Sequence, residues 1–169
     1  MSSATGSRRG RRAKGGTGAE THVARGGDPL LVEELLAEAR WGLDWVMKTS
    51  FGDGYRLSWS TLGPWTDGII GTNDDVTTPA RRSARASFVA AMAEAAAARA
   101  LAGRDPVLSA DARRRAEEDW RFGLDETLAQ DDEATETSAY GVLAGVELLR
   151  LTGDARYGES AAFLAERLL

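Results

Sequence analysis

LLVEELLAEARWGLDWVMKT, residues 30–49, is the stretch from which the architecture of this chain is read. Leu31, Val32, Leu35, Leu36, Ala39, Leu43, Val46 and Met47 recur at steps of three and four, the period of an amphipathic helix. Trp41 and Trp45 stand one turn apart and widen the apolar face. Ahead of the stretch, Asp28 can cap exposed N–H groups and Pro29 suits the first helical turn. The spacing predicts a helix to about Met47, with Gly52 and Gly54 marking its exit.

Downstream the period changes. In DGYRLSWS, residues 53–60, Tyr55, Leu57 and Trp59 alternate with Arg56, Ser58 and Ser60, which predicts a short half-buried strand. No second convincing strand follows, so a local hairpin or a strand lying against helices is expected. A second helix begins near Thr78-Pro79 or at Ser83 and runs to about Ala102, with Phe88, Met92, Ala95 and Leu101 as its apolar stripe. Its alanine-rich middle favours helix and lets a neighbouring helix come close, so it is placed inside a bundle. The third helix spans about Leu108 to Leu128, with Leu108, Ala112, Ala116, Trp120 and Leu124 inward. Glu117, Glu118 and Asp119 read as its solvent face. The fourth runs to about Leu151 with Ala139, Val142, Leu143, Val146 and Leu149. The fifth takes Tyr157, Ala161, Leu164 and Leu168.

Two joints are alike. The segments from Ala100 and from Leu148 each read helix, short Gly-Asp break, helix, at an offset of about 50 residues, which hints at stacked helical hairpins. A plain helical bundle with short loops is the alternative. The class is all-α, with about five helices in antiparallel hairpins and one long loop carrying a short β-strand.

That loop, residues 48–78, is longer than the roughly 12–15 residues beyond which connections tend to be functional or disordered. Phe51, Tyr55, Trp59, Leu62, Trp65, Ile69 and Ile70 supply apolar surface, so it is expected to cover one end of the helix array. Trp59 and Trp65 can line a sugar-binding surface, since an indole covers the apolar face of a pyranose. Asp67, Asn73, Asp74 and Arg56 would then meet the hydroxyls. Both indoles can equally anchor the loop in the core. Asp67, Asn73, Asp74 and Asp75 are oxygen ligands of the kind calcium takes, although their spacing does not fit the twelve-residue calcium loop. Such residues also make turns. Glu126, Glu133 and Glu136 lie near a helix boundary and can face the same end. No spacing selects an acid–base pair of carboxyls.

Bulk numbers exclude several classes. The chain has 169 residues, 43% hydrophobic and 28% charged, with no cysteine and one histidine, His22. Thiol catalysis, cysteine-ligated zinc and histidine relays are therefore out. No apolar run is long enough for a membrane span, and the basic N-terminus is not followed by the apolar segment of a secretory signal. A cytoplasmic location is expected for the chain as given. Residues 1–27 carry +5, so the whole chain's −5 leaves −10 to residues 28–169. The first 27 residues are expected to be a disordered basic tail, and the acidic body argues against a nucleic-acid groove.

Residues 30–49 resemble the helix of glycoside hydrolase family 9, the endoglucanase family, that reads E-A-x-W-G-L-D-W-hydrophobic-hydrophobic-K. Glu38, Ala39, Trp41, Gly42, Leu43, Asp44, Trp45 and Lys48 stand in the matching places. Residues 83–106 are similar to the family's next inward helix through Ser83, Ala86, Phe88 and Ala91, with Asp105-Pro106 after it. Residues 112–122 look like the following A-x-x-A-W helix. The resemblance covers residues 30–169. It implies an (α/α)6 toroid of twelve helices that hydrolyses β-1,4-glucans with inversion, and calcium binding in several members. It places Trp59 and Trp65 on loops near a substrate cleft; with Asp67 they are the candidate substrate-binding residues, and Asp74 and Asp75 are the candidate calcium ligands read from their residue type.

Two departures qualify that implication. The family's water-activating aspartates sit in an Asp-Ala-Gly-Asp motif upstream of the first helix, and residues 1–29 contain none. The family's acid glutamate lies beyond residue 169. No catalytic residue is therefore carried over to this chain. Five helices cannot close a ring of twelve, so a central piece of such a hydrolase is expected, inactive alone. A non-enzymatic helical domain for carbohydrate binding or protein interaction is the alternative. Self-association through exposed helix edges is expected if large apolar patches are left open.

Overall fold

The chain is described by a computed structural model over residues 28–58, 69, 72, 81–129 and 135–168. Five helices lie within those residues: α1 Pro29–Lys48, α2 Ala84–Leu101, α3 Pro106–Ala129, α4 Thr135–Thr152 and α5 Ala155–Glu166. The predicted strand is reduced to a ladder of two residues on each side. Strand β1, Leu57–Ser58, pairs antiparallel with β2, Arg81–Arg82, in the register Leu57↔Arg82 and Ser58↔Arg81.

Local chemistry starts each helix where it starts. Asp28 sits in extended backbone and its side chain accepts from the Leu30 N–H at 2.9 Å. Ser83 accepts from the Ala86 N–H at 3.1 Å. Asp105 accepts from Leu108 at 3.1 Å, and Asp154 from Arg156 at 3.0 Å. The last two caps sit in the two similar joints, residues 102–105 and 153–154, which fold α2 back on α3 and α4 back on α5. The fold is thus all-α, antiparallel hairpins side by side, the arrangement of part of an (α/α) toroid.

Helix α2 is the centre. It packs on α1, α3 and α4. Phe88, Ala91, Ala95 and Ala98 are fully buried on it, and the small volume of the three alanines brings α3 and α4 close. Phe88, Trp120, Leu148 and Leu164 fill one core, with the Phe88 and Trp120 rings 5.2 Å apart. Leu43, Ala98, Leu101 and Ala112 form a second core between the C-terminal half of α1 and the α2–α3 joint. Each large side chain so buried contributes about 1.5–3 kcal/mol.

Three expectations are corrected by the packing. The α4 stripe is out of phase: the buried residues are Thr137, Ser138, Gly141, Ala144, Gly145 and Leu148, while Leu143 is half exposed. The reason is close approach. A Cβ on Gly141 would lie 2.5 Å from Leu164 Cδ1, and one on Gly145 would lie 3.0 Å from the Ala161 Cβ. On α1, Val32, Leu36 and Leu43 are buried, but Leu31, Leu35, Trp41 and Trp45 are exposed, the tryptophans at 71% and 61%. On α3, Asp119 is 1% exposed rather than on the solvent face.

Candidate functional site

The described flanks of two connections, 59–80 and 130–134, lie at one end of the hairpins. Residues 58 and 81 are paired in the ladder beside Ser83, where α2 begins, and residues 129 and 135 mark the end of α3 and the start of α4. Among the described residues, the flanks of 59–80 and of 130–134 therefore lie at this end, and the two tight joints lie at the other. A cavity of about 90 Å³ lies here. Its walls are Arg82 to Arg85 at the start of α2, Glu126 and Thr127 at the end of α3, and Thr137 at the start of α4. Clefts that enclose small ligands run to roughly 300–1,000 Å³. The described residues therefore form a floor rather than an enclosing pocket.

That floor is polar and charged. Arg85 pairs with Glu136 at 2.8 Å and lies over the Tyr140 ring, and Arg82 lies over the Tyr55 ring. The expectation that Glu126 and Glu136 face the same end is met through Arg85, which shares the cavity wall with one and pairs with the other. Guanidinium, carboxyl and phenol groups alternating over an open surface can exchange hydrogen bonds with a polyhydroxylated ligand.

Beneath the floor lies a second polar group, sealed from solvent. Arg56 is 4% exposed, Glu94 0% and Asp119 1%. Arg56 approaches Asp119 side-on, with Nε donating to Oδ1 at 2.9 Å and Nη2 to Oδ2 at 2.8 Å. Nη2 also donates to Glu94 Oε1 at 2.9 Å. Nη1 donates to the Val46 carbonyl at 2.6 Å and to Thr49 Oγ1 at 2.9 Å. All five guanidinium N–H groups are engaged. The Val46 carbonyl lies in the last turn of α1 and also accepts from Thr49 Oγ1 at 2.9 Å, so the cation joins Thr49 in capping that helix. Burial, with Asp119 beside it, pushes the Glu94 carboxyl from its ordinary 4.5 up to about 9.

The backbone of residues 51–56 is shaped to deliver Arg56. Gly52, Asp53 and Gly54 all have positive φ. Gly54 is pressed against α3, where a Cβ would collide with the Glu118 carbonyl and lie 2.7 Å from the Asp119 Cα. The Gly54 carbonyl accepts from Ser87 Oγ at 2.8 Å, and the Arg56 carbonyl from the Ser83 N–H at 3.0 Å. Tyr55 stands edge-on to Phe51 and Phe122.

Arg56 was expected to alternate outward and to meet sugar hydroxyls. The structure overturns this, because its donors are all taken inside. The candidate sugar residues Trp59, Trp65 and Asp67, the candidate calcium ligands Asp74 and Asp75, and Asn73 and Glu133 all lie outside the described residues. Ile69, expected to help cover the helix array, is 62% exposed. Among the described residues no cluster of three or more His, Cys, Asp or Glu is arranged to hold a metal ion, and no helix is long and apolar enough to cross a membrane.

Sequence reading missed Glu94 and Asp119 as a pair, although a signal existed. Glu94 falls on the inward row of α2 between Ala91 and Ala98, and Asp119 on that of α3 between Ala116 and Gly123. A lone acid at a core phase on each of two adjacent helices asks for a shared cation.

Comparison with known proteins gave one match. The family model described as glycosyl hydrolase family 9 matches residues 18–167. No curated protein and no solved structure matches the chain.

Proposed function

The chain belongs to glycosyl hydrolase family 9, and on that premise we propose that it binds a β-1,4-glucan across the end where α2 and α4 begin, without cleaving it. The observation that carries the reading is the polar floor formed where α2 and α4 begin and α3 ends. Arg82, Arg85, Glu126 and Glu136 offer the paired donors and acceptors that sugar hydroxyls need. Trp59 and Trp65 are proposed to cover the apolar faces of the sugar rings, with Asp67 accepting from hydroxyls. Asp74 and Asp75 are proposed as ligands of a calcium ion.

The absence of cleavage rests on two facts. The 169 residues contain no Asp-Ala-Gly-Asp sequence. The buried carboxyl pair, Glu94 and Asp119, is closed to solvent and bound to Arg56, so it cannot activate a water on a glucan. Calorimetric titration of the chain with cellohexaose, with products followed by chromatography in the same samples, tests the proposal. Binding with intact cellohexaose is the expected result. Release of shorter sugars would overturn the non-catalytic part, and absence of any heat of binding would overturn the whole.

One observation favours a second reading, an interaction domain that self-associates. Leu30, Leu31, Leu35, Trp41, Trp45 and Phe51 are exposed on or just beyond α1. Together they offer on the order of 700 Å² of apolar surface, close to the 800 Å² per partner of standard interfaces. A second copy of the chain is proposed to cover this face.

A further inference from the structure

We propose that Arg56 is a positioning residue, a latch in which Asp119 serves as the carboxylate and Glu94 as a neutral acid, holding residues 49–58 onto α2 and α3 beside the floor. Its link to glucan rests on the reading above; the latch itself does not.

Three observations point to it. Arg56 ties the end of α1, Thr49, α2 and α3 together, through Val46, Thr49, Glu94 and Asp119. Residue 56 lies one position before β1, and its own carbonyl accepts from the Ser83 N–H at the start of α2. Where Arg56 sits therefore fixes β1 and β2 against the start of α2.

The second observation is the charge count. One buried guanidinium faces two buried carboxyls, and an unbalanced anion in the interior is costly. The next cation is Arg115 of α3, 28% exposed, which is spent on Asp111 and on the Met47 carbonyl. From α1 only backbone carbonyls face the cluster. The charged groups of α4 pair elsewhere, Glu136 with Arg85, and Glu147 with Arg99 and Arg150. One of the two acids must be neutral.

The third observation says which. Both Asp119 oxygens are held by the guanidinium. Glu94 offers only Oε1, and its buried Oε2 has no hydrogen-bond partner. A buried carboxylate oxygen that no donor reaches is expensive on an anion, whereas the hydroxyl of a protonated Glu94 can donate to the neighbouring Asp119 carboxylate. As pH rises, Glu94 gives its proton to water, the cluster becomes net negative, and the latch loosens.

The test is hydrogen–deuterium exchange read by mass spectrometry on the full 169-residue chain, from pH 6 to pH 10, corrected for intrinsic exchange. In the unaltered protein, opening of peptides spanning 49–58 should rise with pH by up to about tenfold per unit, levelling near the Glu94 pKa. Glu94→Gln, an isostere of the neutral acid, should abolish that slope. Arg56→Lys keeps the charge but cannot bridge both carboxyls, so it should leave 49–58 open at every pH while α2 and α3 stay protected. If Glu94→Gln keeps the slope of the parent, or if Arg56→Lys protects 49–58 as the parent does, the latch is wrong. The same samples are titrated with cellohexaose. Binding at least tenfold weaker in Arg56→Lys supports positioning, and binding equal to the parent overturns it. A parent that shows the expected exchange pattern but binds no cellohexaose leaves the latch standing and removes the glucan reading.

Discussion

Arg56→Ala removes the cation between Glu94 and Asp119 and leaves both acids in the interior. Breaking a buried pair in this way costs about 3–5 kcal/mol, because the stranded charge is not rehydrated. Urea unfolding followed by far-UV circular dichroism should show that loss. The pH sign follows from Glu94, whose folded-state pKa is raised from 4.5 to about 9 by burial and by Asp119. The folded chain then holds a proton the unfolded chain has released. Its stabilising contribution is complete below 4.5 and is lost as pH rises through about 9. Urea midpoints of the parent should fall from pH 5 to pH 9, and those of Glu94→Gln should fall less. Gly54 combines positive φ with backbone contact to α3. Gly54→Val should therefore undock the segment as Arg56→Ala does, by steric rather than electrostatic means.

Helix α4 shows how packing overrides hydrophobic spacing. Two of the larger residues on its expected stripe, Leu143 and Val146, are not among its buried ones. Gly141 and Gly145 are buried because α4 must lie close to α5 and to the Phe88–Trp120 core. Adding a methyl there forces neighbours apart. Gly141→Ala should cost about 1–3 kcal/mol as overpacking, while Leu143→Lys should change stability by no more than about 0.5 kcal/mol as a surface substitution. Thermal unfolding of the two variants would separate a correct phase from the one the sequence implies. Leu164 fills the space above Gly141, so Leu164→Ala should cost about 2–5 kcal/mol through the cavity it leaves. The caps are simpler. Asp28, Ser83 and Asp154 act within two or three residues, which is why local sequence reveals them.

The assembled chain leaves α1 half covered. Its buried row, Val32, Leu36 and Leu43, meets α2 and its neighbours, and the opposite row carries Trp41 and Trp45 into solvent. Large exposed apolar faces mark contact surfaces. Sedimentation velocity over a range of concentrations should show association in the parent. Trp41→Glu with Trp45→Glu should abolish it while leaving the α2–α5 core folded. Retained association would move the contact away from α1.

Helix number, order and boundaries were legible in the residues, because caps, Gly-Asp breaks and three-to-four spacing act over a few positions. The family was legible too, in the matched places of residues 38–48, and the family model spans residues 18–167. The phase of α4, the exposure of Trp41 and Trp45, and the burial of Arg56 were not. In sequence Arg56 is one polar residue in an alternating segment, and Glu94 one acid among alanines. Their interior positions depend on partners 38 and 63 residues away. No local pattern encodes a distance of that kind, since burial of a charge is favourable only once the opposing helices have arrived to share it.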